Sequence, residues 1–218
     1  MIADRHIFED GPKLASALAN RVSDILKLAV ADKGWALLAV SGGTTPKPFF
    51  EALSAIGINW SKVQVTLVDE RQVPDDSPRS NAKLVKESLL QNKASAARFV
   101  PLYQNLSAAD LGTFDVAILG MGNDGHTASF FPEGDNLAAA LDENGKAAIL
   151  EMNAPAAGEP RLTFTLPKLL SARHLLLHIQ GKDKMAVLDQ ALSGTDVFEM
   201  PIRAVLYAKT PVELYWCP

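Results

Sequence analysis

Four short apolar runs constrain the fold of this chain more than any other feature: WALLAV (35–40), VQVTLV (63–68), DVAIL (115–119) and HLLLHIQ (174–180). Each ends at glycine or at polar residues, namely Ser41-Gly42-Gly43, Asp69-Glu70-Arg71, Gly120 and Gly181. Runs this continuous suit strands buried on both faces, as in the interior of a parallel sheet. Helical patterns lie around them. After FEDGP, with Asp10 as cap and Pro12 in the first turn, Leu14, Leu18, Val22, Ile25 and Leu28 recur at helical spacing until Gly34. Pro46 is placed to begin a second helix, Ser80 caps SNAKLVKESLL, and KDKMAVLDQAL follows Gly181. Strands alternating with helices predict an α/β fold: a Rossmann-like, mostly parallel sheet flanked by helices on both faces, its first strand near residue 35. Residues 133–160 read as a surface excursion in which AAILEM is a possible strand. No repeat or linker divides the chain, so one domain over residues 1–218 is expected.

With 48% hydrophobic residues among 218, the chain can bury a sizeable core. Its formal charge of −4 comes from interspersed signs, a pattern that implies neither a nucleic-acid nor a membrane partner. Any anionic ligand must therefore be held locally. Cys217 is the single cysteine, which excludes an internal disulfide framework and a multi-cysteine zinc site. The N-terminus has no basic region followed by a long apolar segment, and no run approaches about 18 apolar residues. A soluble, cytoplasmic protein is expected.

In parallel sheets ligands gather outside the carboxyl ends of the strands, so the loops after the runs are the places to search. SGGTTP offers glycines for close backbone approach and a helix start that favours an anion; an ordinary strand-to-helix turn reads the same way. Gly120-x-Gly122-x-x-Gly125 has the spacing of a dinucleotide-binding turn. That motif needs a helix to open within it, yet Pro132 follows Gly125 by seven residues with no amphipathic continuation. Read differently, the glycines keep a tight turn unobstructed and display Asp124 and His126 at the mouth of the sheet. Histidine suits proton transfer near neutral pH and a carboxylate can orient it, so His126 is the catalytic candidate; a hydrogen-bonded surface histidine is the alternative. Asp69 and Glu70 can serve as acid, base or hydroxyl ligand, or can pair with Arg71 and cap the loop. Arg79, Arg161 and Lys184 are cations near the same edge and suit phosphate oxygens, or are solvated surface charges. His174 and His178 read as structural, and His6 has no visible partner. No H-E-x-x-H, P-loop lysine or G-x-S-x-G motif occurs.

Together SGGTTP, VDERQVPDDSPRSN, GMGNDGHTASFFP and RLTFTLPKLLSARHLLLHIQGKDK, in that order, resemble the 6-phosphogluconolactonase family over nearly the whole chain. The resemblance implies a fold like that of glucosamine-6-phosphate deaminases. It implies hydrolysis of a sugar-phosphate lactone, 6-phospho-D-glucono-1,5-lactone, in the oxidative pentose phosphate pathway, by a carboxylic ester hydrolase with no cofactor and no metal. By the same resemblance His126 is the general base, Asp124 orients it, and Asp69 holds hydroxyls or water. Ser41, Gly42, Gly43 and Thr44 fall at the phosphate turn, Arg79 in the second loop, Lys184 in G-x-x-K, and Arg161 in R-L-T. A monomer or weak dimer is expected. Two alternatives differ in class. A deaminase or sugar-phosphate isomerase resembles D-E-Y and places a glutamate before the proline of the D-G-H block, where this chain has Arg71 and Phe131. A sugar-phosphate sensor would carry a DNA-binding helix pair ahead of the first strand.

Overall fold

The computed structural model describes residues 1–102 and 110–218. Seven strands form one parallel sheet: β1 (Ile2–Ile7), β2 (Ala36–Val40), β3 (Val63–Leu67), β5 (Arg98–Phe99), β6 (Val116–Leu119), β9 (His174–Gln180) and β10 (Val212–Cys217). Their order is β1-β10-β9-β6-β2-β3-β5, with every pairing parallel. Every residue of β2 and β6 is buried, as continuous apolar runs at the centre of a parallel sheet require. A second, antiparallel sheet joins β4 (Asp69–Arg71), β8 (Arg161–Phe164) and β7 (Ile149–Met152) in the order β4-β8-β7.

Two helix groups flank the main sheet. α1 (Gly11–Lys33) packs on α2 (Lys47–Ser54), and α2 on α3 (Asn81–Ser88). In the other group α4 (Leu137–Leu141) packs on α5 (Leu166–Leu170), while α5 and α6 (Lys182–Ser193) pack on α7 (Ile202–Leu206). The caps are those the residue types favour. Asp10 accepts from the Lys13 amide at 2.8 Å, Ser80 accepts from the Lys83 amide at 3.1 Å, and Gly34 ends α1 at φ 84°.

Two expectations change. The strand nearest the N-terminus is β1, not the run at residue 35. Its sequence IADRHI is mostly exposed on the sheet edge, where no apolar run is needed, and it pairs in parallel with β10. Leu28 is 70% exposed while Leu26 is buried, because the buried stripe of α1 runs through Leu18, Val22, Ile25, Leu26 and Ala29. As read from AAILEM, the excursion over residues 133–160 does hold a strand, β7, which joins the small sheet whose pairing brings residues near 70 beside residues near 161.

Candidate active site

Successive strands run outward from β2 through β3 to β5, and then β6 returns to the other side of β2. That reversal is a topological switch point, where the loops leaving β2 and β6 diverge and leave a crevice. A cavity of about 350 Å³ lies there, lined from β2 and β6 by residues 40–46 and 118–122. Ser41 fastens its floor: its hydroxyl donates to the Ile118 carbonyl at 2.9 Å and accepts from the Gly120 amide at 3.1 Å.

The two glycines after Ser41 serve different ends. A Cβ on Gly42 would fall within 2.6 Å of the Asn81 Nδ2 and closer still to Oδ1, so this glycine makes room for Asn81. Asn81 in turn donates to the Asp69 carbonyl at 2.9 Å, which ties the turn to the β4 region. Gly43 has φ 91° and open space at its missing Cβ, so it is the position where a ligand can approach the backbone.

In the 120–132 loop no helix opens. The chain folds back on itself: the Gly122 amide donates to the His126 carbonyl at 2.8 Å and the Thr127 hydroxyl to the Gly120 carbonyl at 2.8 Å. This tight turn sets His126 Nδ1 2.6 Å from Asp124 Oδ1. A carboxylate only accepts, so in the neutral ring Nδ1 carries the proton and Nε2 keeps the lone pair. Burial opposes charge on Asp124, but the bonds and charge of His126 prevail and its carboxyl sits below the ordinary value. The other side of the imidazole meets Phe131, whose ring centroid is 4.3 Å away.

The small sheet continues this wall. Antiparallel pairing sets Asp69 across from Thr163 and Arg71 across from Arg161. Asp69 accepts from the Ser129 hydroxyl at 2.6 Å and lies 3.8 Å from the Arg161 guanidinium. Arg161 donates to the Ala157 carbonyl at 2.7 Å and its Cζ stands 5.4 Å from the Phe131 ring centre. Burial lowers its pKa, with Asp69 the main opposing charge. Glu70 does not face the cavity. It accepts from the amides of Asn81 (2.8 Å) and Ala82 (2.7 Å) and so caps α3. Burial pushes its carboxyl up against those donors.

Of the residues singled out from the sequence, Ser41, Gly42, Gly43, Thr44, Asp69, His126, Arg161 and Lys184 line the cavity, and Asp124 stands behind His126. Lys184 sits in the first turn of α6, its pKa lowered by burial and raised in turn by Asp124. Arg79 is not brought in. Its side chain is 63% exposed and pairs with Glu159 at 2.8 Å, because its place just before the Ser80 cap turns it outward. Arg71 lines the cavity instead, donating to the Arg79 carbonyl at 2.5 Å. Asn81, Gln180 and His178 also line it. For His178 the signal was its place next to the carboxyl end of β9, two residues before Gln180. His174 and His6 both stand 3.8 Å from Glu213, neither lines the cavity, and His6, on the edge strand, stacks on Tyr215. Among the described residues no group of three or more His, Cys, Asp or Glu side chains is placed to hold a metal ion.

Fold and site together define the class. A family model described as glucosamine-6-phosphate isomerases/6-phosphogluconolactonase matches residues 9–216, and the chain belongs to that family. Within it the chain is 53% identical to the 6-phosphogluconolactonase of Mesorhizobium japonicum, over 97% of this chain and 94% of that protein. It is 51% identical to the 6-phosphogluconolactonase of Rhizobium meliloti over the full length of both. Among solved structures, a 6-phosphogluconolactonase from Shewanella baltica superposes with a TM-score of 0.94 at 40% identity, covering 99% of this chain and 97% of that one. A monomeric glucosamine-6-phosphate deaminase shares the fold, with a TM-score of 0.79 at 18% identity and coverage of 98% and 97%.

Proposed function

We propose that this chain hydrolyses 6-phospho-D-glucono-1,5-lactone to 6-phospho-D-gluconate, the activity for which its 53%-identical relative is named, with His126 as general base. The observation that carries the reading is the His126–Asp124 pair at the cavity wall, with Phe131 rather than an ionisable group against the imidazole. Asp124 holds the Nδ1 proton, so Nε2 takes a proton from water as the water oxygen attacks the lactone carbonyl. The tetrahedral intermediate collapses by breaking the bond from the carbonyl carbon to the ring oxygen, and the imidazolium returns the proton to that oxygen. The product is the open-chain acid, which ionises. Arg161, which shares Phe131 with His126, supplies positive charge on the side where the oxyanion develops. A lactone carbonyl is already activated, so one base worth about 10²–10⁴-fold and an electrostatic contribution suffice without a covalent nucleophile.

The phosphate lies against the Ser41–Thr44 turn, with Lys184 and Arg71 as its cations, and Asp69 holds a sugar hydroxyl through the oxygen not committed to Ser129. In this reading Arg79 stays with Glu159. Ring-opening deamination is disfavoured because Phe131 offers His126 no proton partner. Residues 1–218 act as one domain on a small sugar phosphate in the cytoplasm, as a monomer or weak dimer. No helix among the described residues is long and apolar enough to cross a membrane.

The test generates the lactone in situ from glucose 6-phosphate and follows 6-phosphogluconate with a coupled dehydrogenase, corrected for spontaneous hydrolysis. Acceleration by the wild-type protein that is lost in His126→Ala is the expected result. A folded wild-type protein that gives no acceleration would overturn the proposal.

A further inference from the structure

The cavity wall holds a second histidine that the chemistry above does not use. His178 is on β9, is only 6% exposed, and lines the cavity. Among the described residues no hydrogen-bond partner meets its ring; its aromatic neighbour is Phe49 of α2, edge-on with centroids 6.2 Å apart. The ring nitrogens of His178 are not sealed from solvent and the residue lines the cavity, so a ligand bound there can supply the partner. Burial holds its pKa down to about 4, so near neutral pH the ring is uncharged, with one N–H donor and one lone pair.

Its place in the sheet points to the ligand group. Leu119, the last residue of β6, pairs with Leu177, so His178 follows directly at the level where β6 gives way to Gly120 and the cavity opens. No atom lies within 4 Å of where a Cβ on Gly120 would stand, so the cavity is open at that residue. On one side His178 touches α2, the helix that the Ser41–Thr45 turn leads into. On the other its own strand passes through Gln180 into the first turn of α6, which carries Lys184. The histidine therefore stands in the seam between the two anion-favouring elements of the cavity. His126, Phe131 and Arg161 are grouped by their own ring contacts on the wall built from the 120–132 loop and the small sheet.

We propose that His178 is a substrate-binding residue: its neutral imidazole donates a hydrogen bond to a phosphoryl oxygen of the sugar phosphate, while Lys184 supplies the charge. The assignment rests on the phosphate position in the reading above. A neutral donor selects a phosphoryl group by direction rather than by net charge.

The probe is inorganic phosphate, added to full-length protein labelled with ¹⁵N-histidine; the chain has only four histidines, and the His178 signals are those absent from H178Q. The expected result is a saturable shift of the His178 ring nitrogens, with the same midpoint as phosphate inhibition of lactone hydrolysis. In kinetics, His178→Leu should raise KM for the phosphorylated lactone about tenfold, the scale of one hydrogen bond, with kcat changed less than about threefold. H178Q, which keeps an N–H donor, should recover much of that loss. Ring signals that stay still while phosphate saturates its inhibition would overturn the proposal. So would signals moved by non-phosphorylated gluconolactone but not by phosphate, which place the ring at a sugar hydroxyl. A fall in kcat equal to the rise in KM would likewise make the residue merely structural. If the protein shows no lactone hydrolysis yet phosphate still moves the His178 signals, the phosphate contact stands and the lactonase reading fails.

Discussion

Gly122→Ala tests the His126–Asp124 pair without altering either residue. A Cβ at position 122 would come within 2.5 Å of Asp124 Oδ1 and closer still to His126 Nδ1, in a turn where both are held. Carbon needs about 3.5 Å from such atoms, so the pair must move by about 1 Å or more. The pair, now 2.6 Å apart, is thereby either broken or carried away from its place in the turn. Gly122 has negative φ, so alanine adds no backbone strain of its own. The effect is therefore confined to the orientation and tautomer of the base. General-base catalysis is worth about 10²–10⁴-fold, or about 3 to 5 kcal/mol of barrier. The expected outcome is a loss of kcat of about 10²-fold or more in the coupled assay, approaching the level of His126→Ala. Inhibition by inorganic phosphate should stay within about threefold of wild type, because phosphate is held elsewhere. Wild-type kcat in a folded Gly122→Ala protein would refute both the role of the pair and the account of this glycine.

His126→Ala should abolish most turnover and retain phosphate inhibition; full activity would remove the general base. Lys184→Ala should chiefly raise KM, since binding shared by substrate and transition state appears there, and a kcat loss at unchanged KM would contradict that. Stability should also depend on pH through His178, whose folded pKa is about 4 against an ordinary 6.5. The unfolded chain binds the extra proton between these values, so this contribution is intact above about pH 7 and is lost as pH falls, by about 2 kcal/mol at pH 5. Urea unfolding of wild type and His178→Leu at pH 7 and pH 5 measures it; equal pH dependence in the two proteins would refute the buried neutral imidazole.

Much of the frame was readable because local chemistry is decisive there. Continuous apolar runs have one economical use, as interior parallel strands, and β9 matches its run residue for residue. Asp10, Pro12, Ser80 and Gly34 sit where helix ends demand those residue types. The loop at 120–132 was legible for the same reason: without a helix to follow, its glycines form a turn that displays Asp124 and His126 together. The motif resemblance added the family and the lactone.

What one-dimensional pattern leaves undetermined is which distant elements meet. β1 carries no apolar signal because it is an edge strand, and only pairing with β10 makes it part of the sheet. Asp69 and Arg161 are 92 positions apart and meet through antiparallel pairing of β4 with β8, which also puts Arg71 at the cavity and leaves Arg79 outside with Glu159. Gly42 sits within the turn read from the sequence as a ligand turn, yet the atoms that fill its missing side chain belong to Asn81. His178 looked like any histidine in an apolar strand until the order β9-β6-β2 set it at the cavity. The sequence by itself determined the interior strands, the caps and the display of Asp124 and His126, because those follow from interactions a few residues long. Tertiary structure alone decided the cavity's cations, the reason for Gly42 and the place of His178, because long-range register sets which side chains share a face.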